Sequence, residues 1–112
     1  MAIESFRKQS WEEWVIAGSI EDVVDAGETI DLANSTIKAW QWDDLVTEVT
    51  TTVVEILTKA KDDVKHYLKV RVKGGSAIAG TANPGVYKIT FYIITSLLNK
   101  YEIDVKMKIW ET

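Results

Sequence analysis

Residues 101–109 alternate without a break. Tyr101, Ile103, Val105, Met107 and Ile109 take one side, and Glu102, Asp104, Lys106 and Lys108 take the other. A period of two held over that length describes a β-strand with one face on a core and one in water. Such a strand cannot stand alone. Its apolar face obliges the rest of the chain to supply a second layer that covers it.

The preceding segment supplies a neighbour. Residues 86–95, Val-Tyr-Lys-Ile-Thr-Phe-Tyr-Ile-Ile-Thr, are dense in β-branched and aromatic side chains, which suit a pleated surface. Tyr87, Ile89, Phe91 and Ile93 share one face, and the opposite face is itself partly apolar, which predicts a mid-sheet position. The short link Ser96-Leu-Leu-Asn-Lys100 predicts an antiparallel hairpin. Upstream, Leu68, Val70 and Val72 alternate with Lys69, Arg71 and Lys73 until Gly74-Gly75 ends the pattern. Trp14-Val-Ile-Ala17 and residues 36–42 read as two further strands, and residues 25–30 as a turn entering an extended piece. Residues 43–61 are ambiguous. Leu45, Val49, Val53 and Leu57 have helical spacing, but Thr50-Thr-Thr-Val-Val54 is a β-branched run that resists a helix, so strand is the preferred reading. The first ten residues are expected to form a loose N-terminal arm, and residues 11–112 a single domain. Six to eight short strands with no βαβ unit predict an all-β fold, an Ig-like antiparallel β-sandwich.

Composition narrows the chemistry. With 112 residues, 46% of them hydrophobic, the chain can bury a core. It has no cysteine, which excludes disulfides, thiolate metal sites and thiol catalysis. No apolar run approaches the roughly 20 residues of a membrane helix, and the N-terminal residues lack the order of a signal peptide. A cytoplasmic origin is therefore expected.

The sequence carries no nucleophile elbow, no phosphate loop and no dinucleotide fingerprint. The one histidine, His66, reads as an exposed strand residue beside Lys65 and Tyr67. Asp43-Asp44 and Asp62-Asp63 read as turn or cap residues, because adjacent aspartates diverge and do not form a calcium loop. No enzyme activity, cofactor or metal is expected. The five tryptophans are a large share for this length. At least two are expected to fill the space between sheets. The alternative is an exposed pair, Trp11 with Trp14 or Trp40 with Trp42, offering a platform to a sugar or other ligand. Trp110 falls out of phase with the inward residues of its strand and is expected to face solvent or a partner.

Net charge is -4, but its layout is uneven. Residues 1–56 hold 12 acids and 3 bases, whereas residues 57–112 hold 5 acids and 10 bases. Opposed patches of this kind can meet head to tail between copies. Nucleic acid is not an expected partner for a net-acidic chain. The residues read as interaction candidates are Gly74, Gly75, Asn83 and Pro84 in the glycine-rich stretch 74–85, Leu97 and Leu98 at the hairpin tip, and Trp110.

The order of these features carries a resemblance. Trp14-Val-Ile-Ala17 is followed by Asp-x-Gly-Glu-Thr-Ile (residues 25–30), Ser35-Thr-Ile-Lys-Ala-Trp40, Val-x-Val-Lys-Gly-Gly (residues 70–75), Tyr87-Lys-Ile-Thr90, Thr95-Ser96 and the closing strand. Together they resemble the small Ig-like structural proteins of tailed bacteriophages and prophages, of the fibre–tail adaptor or head–tail connector kind. The stretch 76–85 is longer than the family pattern, and Leu97-Leu98 stand where a more polar turn is usual. The resemblance implies a non-enzymatic virion component, found in the virion and in the host cytoplasm during assembly. Its partners would be copies of itself and neighbouring virion proteins, with no membrane.

Overall fold

The structure, a computed structural model, describes residues 4–9, 11–42, 47–74 and 85–109, with only the backbone of Glu4. Along the chain these form β1 (Glu4–Lys8), β2 (Trp14–Ser19), β3 (Thr36–Gln41), the single helical turn α1 (Thr50–Val53), β4 (Val54–Asp62), β5 (Tyr67–Val72), β6 (Gly85–Ile94) and β7 (Lys100–Ile109). Two sheets pack as a β-sandwich. One has the order β1-β7-β6-β3 and the other β2-β5-β4. As the sequence predicts, β6 lies inside its sheet and pairs antiparallel with β7, from Gly85 opposite Ile109 to Ile94 opposite Lys100.

The core is the meeting of the alternating faces. Leu68, Val70 and Val72 of β5 are fully buried, as are Ile89, Phe91 and Ile93 of β6 and Met107 and Ile109 of β7. Opposite Phe91 stands Gly18 of β2. A Cβ there would lie 2.8 Å from the Phe91 Cγ, so the absence of a side chain lets the ring span the interlayer space.

Several expectations are corrected. The first residues are not a loose arm over Glu4–Lys8. They form an edge strand parallel to β7, with Phe6 packed on Trp14 at a ring separation of 5.7 Å, so the sandwich is not wholly antiparallel. The run at Thr50 is not all strand: Thr50–Val53 makes one helical turn before β4 begins. The turn has a non-local anchor, because the Ala39 N–H donates to Thr50 Oγ1 (3.0 Å) and the Val49 N–H donates to the Ala39 carbonyl (2.8 Å). These bonds outweigh the weak helix propensity of threonine and valine. Residues 25–30 end in a single bridge, Ile30 to Thr95, rather than in a strand.

The two long sides of the sandwich differ. On the β3/β4 side the edges are guarded. The Gln41 N–H donates to the Thr47 carbonyl (3.0 Å), and β4 is kinked by a register shift between Glu55 and Ala60. Lys59 and Lys61 then reach across to the carbonyls of Ser35 (2.6 Å) and Ile30 (2.8 Å). Bulges and charges turned across an edge prevent strand-to-strand pairing with other chains. On the β1/β2 side Lys8 of β1 reaches across in the same way, to the Gly74 carbonyl (2.6 Å), but β1 carries no register shift. There a cleft of about 260 Å³ separates the sheets, lined by Ser5, Phe6, Trp14, Ile16, Ala17 and Val105.

Candidate functional site

One end of the sandwich is formed by the loops 20–35, 63–66 and 95–99. The β6–β7 turn closes through the Leu98 N–H on the Thr95 carbonyl (2.8 Å) and the Thr95 N–H on the Asn99 carbonyl (3.0 Å). It is sewn to the 20–35 loop by reciprocal bonds, Ser96 N–H to the Thr29 carbonyl (2.8 Å) and Thr29 N–H to Ser96 Oγ (3.0 Å). Beneath them lies Glu28, 1% exposed. Its carboxylate accepts from the Asp25 N–H (2.9 Å), the Thr95 hydroxyl and Asn99 Nδ2 (2.9 Å). The Thr95 hydroxyl, then the Asp25 N–H, hold the carboxyl below its ordinary range, against the opposing effect of burial.

The adjoining turn is set by the aspartates, which do the turn work the sequence suggests. Asp62 Oδ1 accepts from the Val64 N–H (2.8 Å) and the Lys65 N–H (2.9 Å). Asp63 Oδ1 accepts from the Ile30 N–H (3.0 Å), and its other oxygen pairs with Lys61 at 2.8 Å. The Lys65 N–H lowers the Asp62 pKa most, and the Lys61 ammonium lowers that of Asp63 most. This turn corrects the reading of His66. It is not an exposed strand residue but a half-buried turn residue at φ 56°, a left-handed position reached because the Asp62 turn reverses the chain. Its carbonyl accepts the Ile20 N–H (2.9 Å), and its buried Nδ1 has no hydrogen-bond partner.

On this hydrogen-bonded frame sit several exposed apolar side chains. Leu98 is 79% and Val64 86% exposed, and Leu97 and Val23 are also exposed. Leu98 adopts φ 64°. An L-residue with a bulky side chain pays about 1–2 kcal/mol there, and glycine or asparagine would be the usual occupant. Exposed Glu21, Asp22 and Asp25 belong to the 20–35 loop at this end, where Lys65 and Lys100 are exposed too.

A second surface lies on the outer face of the three-stranded sheet. Lys69 and Arg71 of β5 stand opposite exposed Ala17 and Val15 of β2, and Lys73 pairs with Glu55 at 3.4 Å. Leu57, in the β4 bulge, is almost wholly exposed nearby. The basic half of the sequence is thus divided: Lys59 and Lys61 are spent on internal carbonyls, while Lys69, Arg71 and Lys73 face outward.

The described tryptophans do not form the core. None of Trp11, Trp14, Trp40 and Trp42 is buried, and of these Trp14 packs against the core. The interlayer space is filled by smaller aliphatic residues and Phe91, while Trp40 falls on the outward phase of β3. The Lys106 ammonium lies 4.3 Å from the Trp42 ring centroid, Trp14 meets Phe6, and Trp11, 92% exposed, borders a groove of about 630 Å³ with Glu13, Lys73 and Gly74. A shallow groove of about 500 Å³ beside Tyr92 and Tyr101 is lined by Thr36, Lys38, Lys100 and Glu102.

Of the residues singled out in the sequence, Leu97 and Leu98 come together at the described end. Gly74, at φ 54°, lies elsewhere, where its carbonyl accepts from Lys8 Nζ at 2.6 Å. Gly75, Asn83, Pro84, Trp110, Asp43 and Asp44 lie outside the described residues. Val23 and Val64 were missed as companions of the leucines. Among the described residues no three His, Asp or Glu side chains gather as a metal site, and no helix is long and apolar enough to cross a membrane. No protein-family model matches the chain, and no curated protein matches it in sequence.

Proposed function

We propose that the protein is a non-enzymatic assembly module, a structural component of a tailed-phage or prophage virion that stacks on copies of itself and docks on neighbouring virion proteins. The virion setting rests on the resemblance of residues 13–110. The assembly mechanism rests on one observation above all: Leu98 holds a left-handed backbone and an exposed apolar side chain at the same time. Each feature is unfavourable within the isolated chain, and the second becomes favourable when another molecule covers it. The 20–35 loop at this end, which carries acids and no Lys or Arg, complements the outer face of the three-stranded sheet, where Val15 and Ala17 stand opposite Arg71 and Lys69. Tip-to-face contact is heterologous, so it extends into a ring or a stack.

Light scattering at low and high salt tests this reading. An oligomer at low ionic strength should lose mass at 0.5 M salt, where the screening length falls to about 5 Å. A strict monomer at both would overturn self-stacking.

Leu98→Asn gives a sharper test. Asparagine tolerates the left-handed region, so the variant should be more stable than the parent by about 0.5–1 kcal/mol in urea unfolding. It should also lose self-association in the same buffer. A variant that is stabilised yet assembles as the parent does would remove the tip from the interface.

A further inference from the structure

We propose that β1 is an exchangeable strand. Glu4–Lys8 of one copy takes the place of the same strand on β7 of a second copy, linking neighbours by a shared sheet. The inference goes beyond the tip-to-face contact and uses a different part of the molecule, the β1/β2 side.

The docking site is visible because the chain's own segment occupies it. Glu4 lies opposite Val105 and Lys8 opposite Ile109, in parallel register. A parallel strand added at the rim of a sheet is held by main-chain bonds and a few side-chain anchors, the recognition mode of strand addition. Two side-chain anchors stand out among the described residues. Phe6 enters between Trp14 and the β7 edge, and Lys8, 2% exposed, sets its ammonium on the carbonyls of Gly74 (2.6 Å) and Gln9 (3.0 Å). The Gln9 carbonyl travels with the strand, but Trp14, the β7 edge and the Gly74 carbonyl do not, so an identical strand from another copy would find them unchanged.

Three features favour exchange over permanent attachment. First, β1 is the edge strand of its sheet, so it can leave without breaking the pairing of any other two strands. Second, its cover by the described residues is incomplete. The cleft of about 260 Å³ runs between β1 and β2, and Phe6 is only partly buried. Third, the connection to β2 is short and must cross from one sheet to the other. It is folded back on itself by the Glu12 N–H on the Gln9 carbonyl (3.1 Å) and the Gln9 N–H on Glu12 Oε1 (2.6 Å). Opening that turn would carry β1 away from its own β7 towards a neighbour. Short hinges between exchangeable elements are the usual route to swapped dimers.

The chain has no cysteine, which makes a clean test possible. Ser5 and Lys106 are register partners on β1 and β7. The double variant Ser5→Cys with Lys106→Cys is oxidised at low and at high protein concentration and run on a non-reducing gel beside each single variant. Exchange predicts a shift of most of the double variant from the monomer band to dimer and higher bands as concentration rises, with the singles remaining monomeric. A disulfide that stays within one chain at every concentration overturns exchange, and so does a failure of the pair to cross-link at all. Introducing Leu98→Asn into the same double variant separates the two contacts. The cross-linked ladder persists if strand exchange is independent of the tip, whereas its loss would mean that only tip stacking brings the chains together.

Discussion

Phe91→Ala should cost about 4 kcal/mol of unfolding free energy, measured by urea denaturation. The residue is fully buried at the middle of β6, and its ring faces β2 across the interlayer space. Removing it deletes the transfer free energy of a large aromatic and leaves a cavity that two hydrogen-bonded sheets cannot collapse to fill. For a domain whose total stability falls in the range of about 5–15 kcal/mol, that loss brings the fold near its limit. A cost below about 1 kcal/mol would contradict the packing described.

The same contact has a second side. Gly18→Ala alone should destabilise by about 1–3 kcal/mol, because the new methyl meets a rigid ring rather than a flexible chain end. In the Phe91→Ala background the sign should reverse, since the methyl now enters the cavity. The two substitutions should therefore be non-additive by about 1 kcal/mol or more in a double-mutant cycle. Strict additivity would mean that Gly18 and Phe91 do not share one space.

How far the fold was legible follows from where its information is stored. The alternation of residues 101–109, the inward set on β5 and the dense apolar run of β6 are local patterns, and each became a strand with the expected face inward. The β1 strand is different. Ser5-Phe6-Arg7-Lys8 offers one apolar side chain, and its pairing with β7 joins residues about a hundred positions apart, which no local period records. The α1 turn was hidden for a related reason, since its anchor is the Ala39 N–H in another strand. At the candidate end, the sequence marks Leu97 and Leu98 because two leucines in a hairpin tip are out of place. Val23 and Val64 carry no such mark. They sit in unrelated loops, and only the folded chain sets them on the same end.

Lowering the pH should loosen that end first, and Glu28 should be the reason. Its carboxyl is held below its ordinary value of 4.5 in the folded protein, chiefly by the Thr95 hydroxyl and then by the Asp25 N–H. A carboxyl with a depressed folded-state pKa binds its proton more readily in the unfolded chain. The stability it adds is therefore complete above the unfolded value and is lost as pH falls through the folded one. Thermal melts taken from about pH 5 downward should show a falling midpoint. Asp31, Asp62 and Asp63 are lowered as well, so part of this slope is theirs. Glu28→Gln isolates the rest. A glutamine offers one acceptor oxygen where three donors converge, and it turns an NH2 group towards at least one of them, the Asp25 N–H or the Thr95 and Asn99 pair. The variant should melt several degrees lower at neutral pH and lose less on acidification than the parent. Because Thr95 and Asn99 belong to the hairpin that carries Leu97 and Leu98, the same variant should weaken self-association at neutral pH while leaving the Ser5–Lys106 cross-link in place. An unchanged acid slope in Glu28→Gln would mean that the buried carboxylate does not hold the two loops together.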